Sequence, residues 1–361
     1  MSIRQGETTL SRIRAPLFAD FNADGFLDVA YSIFIPSIIY LKFGYGNGSF
    51  SSPLMLYNAS GQLGIENAAS GDFDKDGNLD IVFTEWEAEK IFVVLLREDQ
   101  TVKSVNMISD GNGSKLAEIH LSDLDNDANL DIVVTRYDTH HIGIYFGDGT
   151  GNFSNSTALY TGRNSYPRTF IITDLNGDHF QDIAVSNSED NSIGIFLGYG
   201  NRSFARLNTY FIGGGYRSEM LTAADINEDG ILHIIFTTYS LNLVGVLFGY
   251  QNGSFGGRTM SVLSSRLAYA WVVTGDFNHD GHVDVAVGQA NPFAVSVLMN
   301  DGNGIFELLQ VFVADRLRGS VVYLAATDLD NDGDTDLITA DSISGSIYTL
   351  MNNCQCCAIS V

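Results

Sequence analysis

A nine-residue pattern recurs seven times in this 361-residue chain, and its spacing constrains the fold more than any other feature. It reads Asp-x-(Asp/Asn)-x-Asp-Gly-x-x-Asp and begins at Asp20, Asp72, Asp123, Asp174, Asp225, Asp276 and Asp328, at intervals of 51 or 52 residues. Self-similarity at a fixed period of this length marks a chain built from copies of one supersecondary unit. Each copy is therefore one structural repeat.

The grammar within a repeat is equally regular. An apolar stretch enters the loop (Ile171-Ile172-Thr173) and a second leaves it (Leu79-Asp80-Ile81-Val82, Leu130-Asp131-Ile132-Val133). A third follows (Ile142-Gly143-Ile144-Tyr145-Phe146), then a Gly-rich turn such as Phe43-Gly44-Tyr45-Gly46-Asn47-Gly48-Ser49-Phe50, then a more variable stretch. Asn-Gly pairs suit turns that need positive φ, and no segment holds a helical period. Four strands in about fifty residues is the arithmetic of a propeller blade. The expected fold is all-β: a seven-bladed β-propeller of four-stranded antiparallel blades spanning residues 1–353, with a tail at 354–361. The last repeat stops after a third strand, so the N-terminal segment from Gln5 to Leu10 is expected to complete the last blade and close the ring. An open solenoid would need capping repeats, and the sequence shows none.

The loops have the composition of hard-cation sites. Calcium takes six to eight oxygen ligands, and loop positions 1, 3, 5 and 9 supply side-chain oxygens at a spacing that gathers them. The expected ligands are Asp20, Asn22, Asp24 and Asp28 in the first loop, and Asp72, Asp74, Asp76 and Asp80 in the second. The third has Asp123, Asp125, Asp127 and Asp131; the fourth Asp174, Asn176, Asp178 and Asp182. The fifth has Asp225, Asn227 and Asp229; the sixth Asp276, Asn278, Asp280 and Asp284; the seventh Asp328, Asp330, Asp332 and Asp336. Position 6 is Gly except at Ala128 and His179, as a sharp turn requires. The opening resembles an EF-hand loop, with the closing acid at position 9 instead of 12 and strands in place of helices. Position 9 of the fifth loop is His233, a poor ligand for a hard cation. Six or seven calcium ions are expected, with the second and seventh loops binding best, the third next, and the fifth weakly or not at all. Clustered carboxylates repel one another unless a cation or protons intervene, and these loops hold over half of the 43 acidic residues.

The remaining composition narrows the function classes. A net charge of −24 argues against nucleic acid as a partner. No run of 18 apolar residues is present, so no membrane span is expected. Met1 to Leu10 has no signal-peptide core. The three cysteines, Cys354, Cys356 and Cys357, crowd the C-terminus, where an intermolecular disulfide is the functional alternative to a flexible tail. Sequons at Asn47, Asn58, Asn112, Asn152, Asn155, Asn201 and Asn252 point to a secreted glycoprotein.

The Asp-Phe-Asn-x-Asp-Gly-x-x-Asp loop, followed by a Phe-Gly-x-Gly-Asn-Gly-x-Phe turn, resembles the FG-GAP/VCBS repeat family, which includes the propeller of integrin alpha subunits. The resemblance covers roughly residues 1–353. It implies a seven-bladed propeller with calcium between first and second strands, an extracellular location, and an adhesive or ligand-binding role. Nothing matches an inserted integrin adhesion domain, so integrin ligand specificity does not transfer.

A ligand face is expected at the opposite end of the blades, on the second-to-third and fourth-to-first loops. These carry Phe34, Trp86, Tyr137, His140, His141, Tyr239 and Phe293, and also Tyr166, Arg168, Tyr216, Arg217, Tyr269, Arg316 and Arg318. Tyr166, Tyr216 and Tyr269 drift in register against their loops, which speaks against a regular multivalent lectin. No nucleophile elbow, zinc-protease helix or phosphate loop occurs, so the chain is not expected to be an enzyme. The expected function is an extracellular calcium-binding module for a protein or glycan ligand. A lectin or polysaccharide-degrading enzyme on the same scaffold is the alternative.

Overall fold

The computed structural model describes residues 2–5, 13–33, 38–46, 49–58, 64–86, 89–111, 113–239, 243–262, 271–290, 293–313, 321–330, 332–341 and 347–352. Its first strand is β1 (Ser2–Gln5). Blade one contains β2 (Ile13–Ala19), β3 (Asp28–Ile33), β4 (Ile38–Lys42) and β5 (Leu54–Asn58). Blade two contains β6 (Ile65–Gly71), β7 (Asp80–Glu85), β8 (Lys90–Leu96) and β9 (Val102–Ser109). Blade three contains β10 (Leu116–Ser122), β11 (Asp131–Arg136), β12 (His141–Gly147) and β13 (Phe153–Tyr160). Blade four contains β14 (Pro167–Thr173), β15 (Asp182–Asn187), β16 (Ser192–Phe196) and β17 (Asn208–Phe211). Blade five contains β18 (Ser218–Ala224), β19 (His233–Thr238), β20 (Leu243–Gly249) and β21 (Phe255–Val262). Blade six contains β22 (Trp271–Gly275), β23 (Asp284–Ala290), β24 (Phe293–Asn300) and β25 (Phe306–Val313). Blade seven contains β26 (Val321–Thr327), β27 (Asp336–Asp341) and β28 (Ile347–Met351). Each blade is an antiparallel sheet in sequence order, and the seven stand in a propeller arrangement with no helix among the described residues.

The fourth strand of blade seven is β1, which pairs antiparallel with β28, Ser2 opposite Met351 and Gln5 opposite Tyr348. The N-terminal strand thus completes the last blade, as expected. It lies at Ser2–Gln5, N-terminal to the expected Gln5–Leu10, and residues 6–12 fall outside the described residues. The cysteine tail also falls outside them. Residues 14–43 with 52–218, essentially blades one to four, form one compact unit; residues 1–13, 44–51 and 219–361 form a second.

Burial explains why some strands were easier to read than others. The second and third strands are buried on both faces, so they carry unbroken apolar runs such as Ile81-Val82-Phe83 and Ile142-Gly143-Ile144-Tyr145. The fourth strands alternate or stay open, as in β9 and β17, which leaves their sequences free to vary. Cores form between neighbouring blades: Val133, Ile144 and Phe146 pack with Phe170, Ile183 and Phe196 from the next one. The Gly of the recurring Phe-Gly pair has a steric origin. A Cβ at Gly147 or Gly249 would overlap the carbonyl oxygen of Leu130 or Leu232 in the adjoining strand entry.

Candidate functional site

All seven loops join the first strand of a blade to its second, and they share one hydrogen-bonding plan. The carboxylate at position 1 accepts the amide of position 6 in all seven and that of position 5 in six; in the sixth loop Asp280 N–H donates to Asn278 Oδ1 at 3.0 Å. In the first loop Asp24 N–H donates to Asp20 Oδ1 at 3.1 Å and Gly25 N–H to Asp20 Oδ2 at 2.8 Å. The position-5 carboxylate accepts the amide two residues on, as Phe26 N–H does to Asp24 Oδ1 at 2.9 Å. Position 6 is left-handed throughout the described loops, including the two substituted copies, Ala128 at φ 63 and His179 at φ 69. Position 4 is left-handed as well, from Ala23 and Lys75 to Glu228 and His279. That second reversal carries no residue-type signal.

Position 9 has a job that the motif does not reveal. Asp28, Asp80, Asp131, Asp182, Asp284 and Asp336 are each completely buried. Their Oδ2 atoms accept the amide of loop position 2: Phe21, Phe73, Leu124, Leu175, Phe277 and Leu329, at 2.8–3.0 Å. In five of them Oδ1 accepts an amide 16 residues on, at the end of the third strand: Leu96, Gly147, Gly198, Asn300 and Asn352. The side chain pins the loop entry to the third strand. Burial, reinforced by the neighbouring loop carboxylates, pushes Asp80, Asp131, Asp182 and Asp284 up to about 6, against the opposing pull of these amide bonds.

Oxygen atoms converge in three all-Asp loops. One carboxylate oxygen from each of Asp72, Asp74 and Asp80 lies within 4.8 Å of the others, and the same holds for Asp123, Asp125 and Asp127 and for Asp328, Asp330 and Asp332. In the second loop Asp74 has only 6% of its side chain exposed, and its Oδ1 is buried without a hydrogen-bond partner. An orphaned anionic oxygen facing other carboxylates is what a hard divalent cation satisfies. In the loops with Asn at position 3, the amide instead donates to the position-5 carboxylate: Asn22 to Asp24, Asn176 to Asp178, Asn227 to Asp229, Asn278 to Asp280, at 2.8–3.0 Å.

The fifth loop is wired differently. Gly249 N–H donates to His233 Nδ1 at 3.0 Å, so the proton of the neutral ring sits on Nε2. Nε2 then donates to Asn227 Oδ1 at 2.8 Å. The ring takes over the strand-pinning role of the aspartate but presents no lone pair to the loop, and it engages the oxygen that position 3 would offer a cation. Burial holds it below the usual histidine range, which keeps it neutral. His233→Asp should restore the common plan and raise calcium stoichiometry by one equivalent, measured by equilibrium dialysis.

The FG-GAP-like repeat profile matches residues 20–83, 123–185, 174–236 and 276–339, each match beginning on the first Asp of a loop. The chain belongs to the FG-GAP-like repeat family. No curated protein matches it in sequence. Among solved structures it is similar to an Agrocybe aegerita lectin described as recognising non-reducing terminal N-acetylglucosamine (18% identity, 85% of this chain and 81% of that one, TM-score 0.63). It is also similar to virginiamycin B lyase from Staphylococcus aureus (14%, 97% and 99%, 0.67) and to BBS1N crystallised with ARL6DN (13%, 98% and 98%, 0.66). At these identities the likeness is one of fold, which hosts unrelated activities.

At the other end of the FG-GAP-like blades, four of the aromatic loop residues come together. Trp86 and Tyr137 stand 5.9 Å apart by ring centroid, Tyr137 and Tyr166 5.1 Å, and Tyr166 and His140 4.5 Å. All four are partly exposed, and together they form one strip across blades two to four. Backbone bonds fix it: Trp86 N–H to Gly64 O and Tyr137 N–H to Lys115 O, both at 3.0 Å, and Tyr166 N–H to His140 Nδ1 at 3.3 Å. Lys115 lies over Trp86 and pairs with Asp138 at 3.1 Å, and Arg217 pairs with Glu189. Phe34, Tyr269, Arg316, Arg318 and the Phe293 side chain lie outside the described residues. A constant register is nevertheless present in the sequence: Phe34, Trp86, Tyr137 and Tyr239 each stand 14 residues after the first Asp of their loop.

Proposed function

We propose that this chain is an extracellular, calcium-stabilised binding module that engages a protein or glycan ligand through the aromatic edge of its blades. The observation that carries the proposal is the Trp86–Tyr137–Tyr166–His140 strip. Rigid amphipathic rings, partly exposed and backed by fixed backbone, supply contact area at low entropic cost and dominate binding energies where they occur. Calcium serves the opposite end, where it neutralises the carboxylates of the Asp loops and holds strand entries together. The seven sequons and the likeness to an extracellular repeat family support the location. The C-terminal cysteines offer a route to a disulfide with another molecule.

Trp86→Ala and Tyr137→Ala should each weaken ligand binding by about 2 kcal/mol or more, roughly thirtyfold in Kd. The check is retention on glycan and cell-surface protein arrays, followed by calorimetry on the ligand that emerges. Unchanged retention by both variants would remove the strip from the interface.

One observation favours the enzyme alternative. Burial pushes the Glu118 carboxyl up to about 8, and Asn67 Nδ2 donates to its Oε1 at 2.8 Å, on first strands of adjacent blades. A buried acid kept protonated at neutral pH is suited to general-acid chemistry. Polysaccharide turnover by the purified protein, lost in Glu118→Gln, would establish that reading over the binding one.

A further inference from the structure

We infer that Lys103 and Arg202 are protein-borne counterions that compete with calcium in the loops of blades two and three, leaving the blade-seven loop as the tightest cation site. The inference rests on reading the loops as calcium sites, and it reorders them: the second loop, with four carboxylates, does not share first place with the seventh.

The geometry is specific. Lys103 projects from β9 and its Nζ donates to Asp74 Oδ2 at 2.6 Å and to Asp76 Oδ2 at 3.1 Å. Arg202, in the turn after β16, donates through Nε to Asp125 Oδ2 and reaches Asp127 Oδ2 through Nη2 at 3.4 Å. Its guanidinium also stands 4.7 Å over the Phe146 ring, which holds it above the loop. Each cation contacts the carboxylates at positions 3 and 5, two of the groups expected to ligate calcium. Lys103 comes from its own blade and Arg202 from the next, so the two loops reach the same arrangement from different repeats. Both side chains remain over 40% exposed and are free to swing out when a divalent ion enters.

The other loops balance charge in other ways. Where position 3 is Asn, it donates to position 5, as described above. Loop seven has Asp at both positions and, among the described residues, neither an Asn side-chain amide nor a basic side chain set against Asp328, Asp330 and Asp332; Asp328 and Asp332 accept loop backbone amides. Its carboxylates have a cation from solution as their remaining partner. A cation that must displace an ammonium or guanidinium from two carboxylates binds less tightly than one entering an open cluster, because the displaced attraction is subtracted from its own. At exposed, screened sites the difference is expected to be about tenfold in affinity.

The test is calcium calorimetry on the full chain, with melting curves in calcium and in EDTA. Lys103→Met and Arg202→Met should each move one equivalent to about tenfold tighter binding. Each should also lower the melting temperature in EDTA while leaving it unchanged or higher in saturating calcium. Equal losses in both buffers, as an ordinary surface ion pair would give, or isotherms superimposable on the wild type, would overturn the inference. Asp330→Ala should abolish the tightest equivalent; loss of a weak one instead would overturn the ranking. A wild-type protein with no calcium heat and no calcium-dependent melting would refute the parent reading, and this inference with it.

Discussion

Chelation should lower the melting temperature of this protein by more than about 10 °C. A ligand that binds only the folded state at a hundred times its dissociation constant contributes about 2.7 kcal/mol, and on the proposed reading as many as six loops would contribute independently. Each kcal/mol shifts the midpoint by about 2–4 °C in a domain of 150–250 residues and by less in a longer chain, so several filled loops are needed to reach that figure. Calorimetry in millimolar calcium and in EDTA is the direct measurement, and coincident midpoints would refute calcium as a structural ion. The pH response should reverse with loading. Without calcium, Asp80, Asp131, Asp182 and Asp284 sit near 6 in the folded state, above their ordinary value. The folded protein then binds more protons than the unfolded one between about pH 4 and 6, so stability rises as pH falls through 6 and the destabilising charge is lost. With calcium bound the carboxylates must stay ionised, so acid competes with the metal and stability falls over the same window. A calcium-free midpoint that drops between pH 7 and 5 would contradict this account.

The repeat made the fold legible because a 51-residue period is a global statement about topology, and each residue of the loop repeats it. The second and third strands were legible because burial on both faces demands continuous apolar runs. Strand β1 was placed a few residues too far along the chain, because an outer strand at an open edge carries little patterning to mark its ends. Within the site, the loop acids were legible as a set, but their division of labour was not. Whether Asp80 faces a cation or two backbone amides depends on the strand 16 residues away, and only the folded register brings Leu96, Gly147 or Gly198 to the aspartate of its own blade. Lys103 and Arg202 were invisible for a similar reason, since Arg202 lies 77 residues from Asp125. The aromatic strip is a different case. Its 14-residue offset from the loop was present in the sequence, but Tyr166 joins it from the loop entering the next blade, and that adjacency exists only once the blades are side by side.

Replacing Asp182 with alanine should cost about 2–4 kcal/mol in EDTA as well as in calcium, which would separate the scaffold role of position 9 from any metal role. Asp182 is completely buried; its Oδ2 accepts Leu175 N–H at 2.9 Å and its Oδ1 accepts Gly198 N–H at 2.7 Å. Alanine leaves both amides without their acceptor in a site closed to water, and each buried unsatisfied donor costs about 1–3 kcal/mol. The cost stays below the sum of the upper limits because removing the carboxylate also relieves its own desolvation, the same burial that raises it to about 6. Position 5 of the same loop is the contrast. Asp178 is exposed and accepts Phe180 N–H at 2.9 Å and the Asn176 amide at 3.0 Å, both of which water can replace. Asp178→Ala should therefore cost under about 1 kcal/mol in EDTA and show its effect only in calcium. Asp182→His is the third arm, because blade five already uses a histidine here: His233 Nδ1 accepts Gly249 N–H at 3.0 Å. It should retain the bond to Gly198, lose the one to Leu175, and fall between alanine and the wild type in EDTA. Urea unfolding in both buffers gives all three values. If Asp182→Ala were harmless without calcium, position 9 would be a metal ligand first and a strand pin second, and the burial of all six aspartates would need another cause.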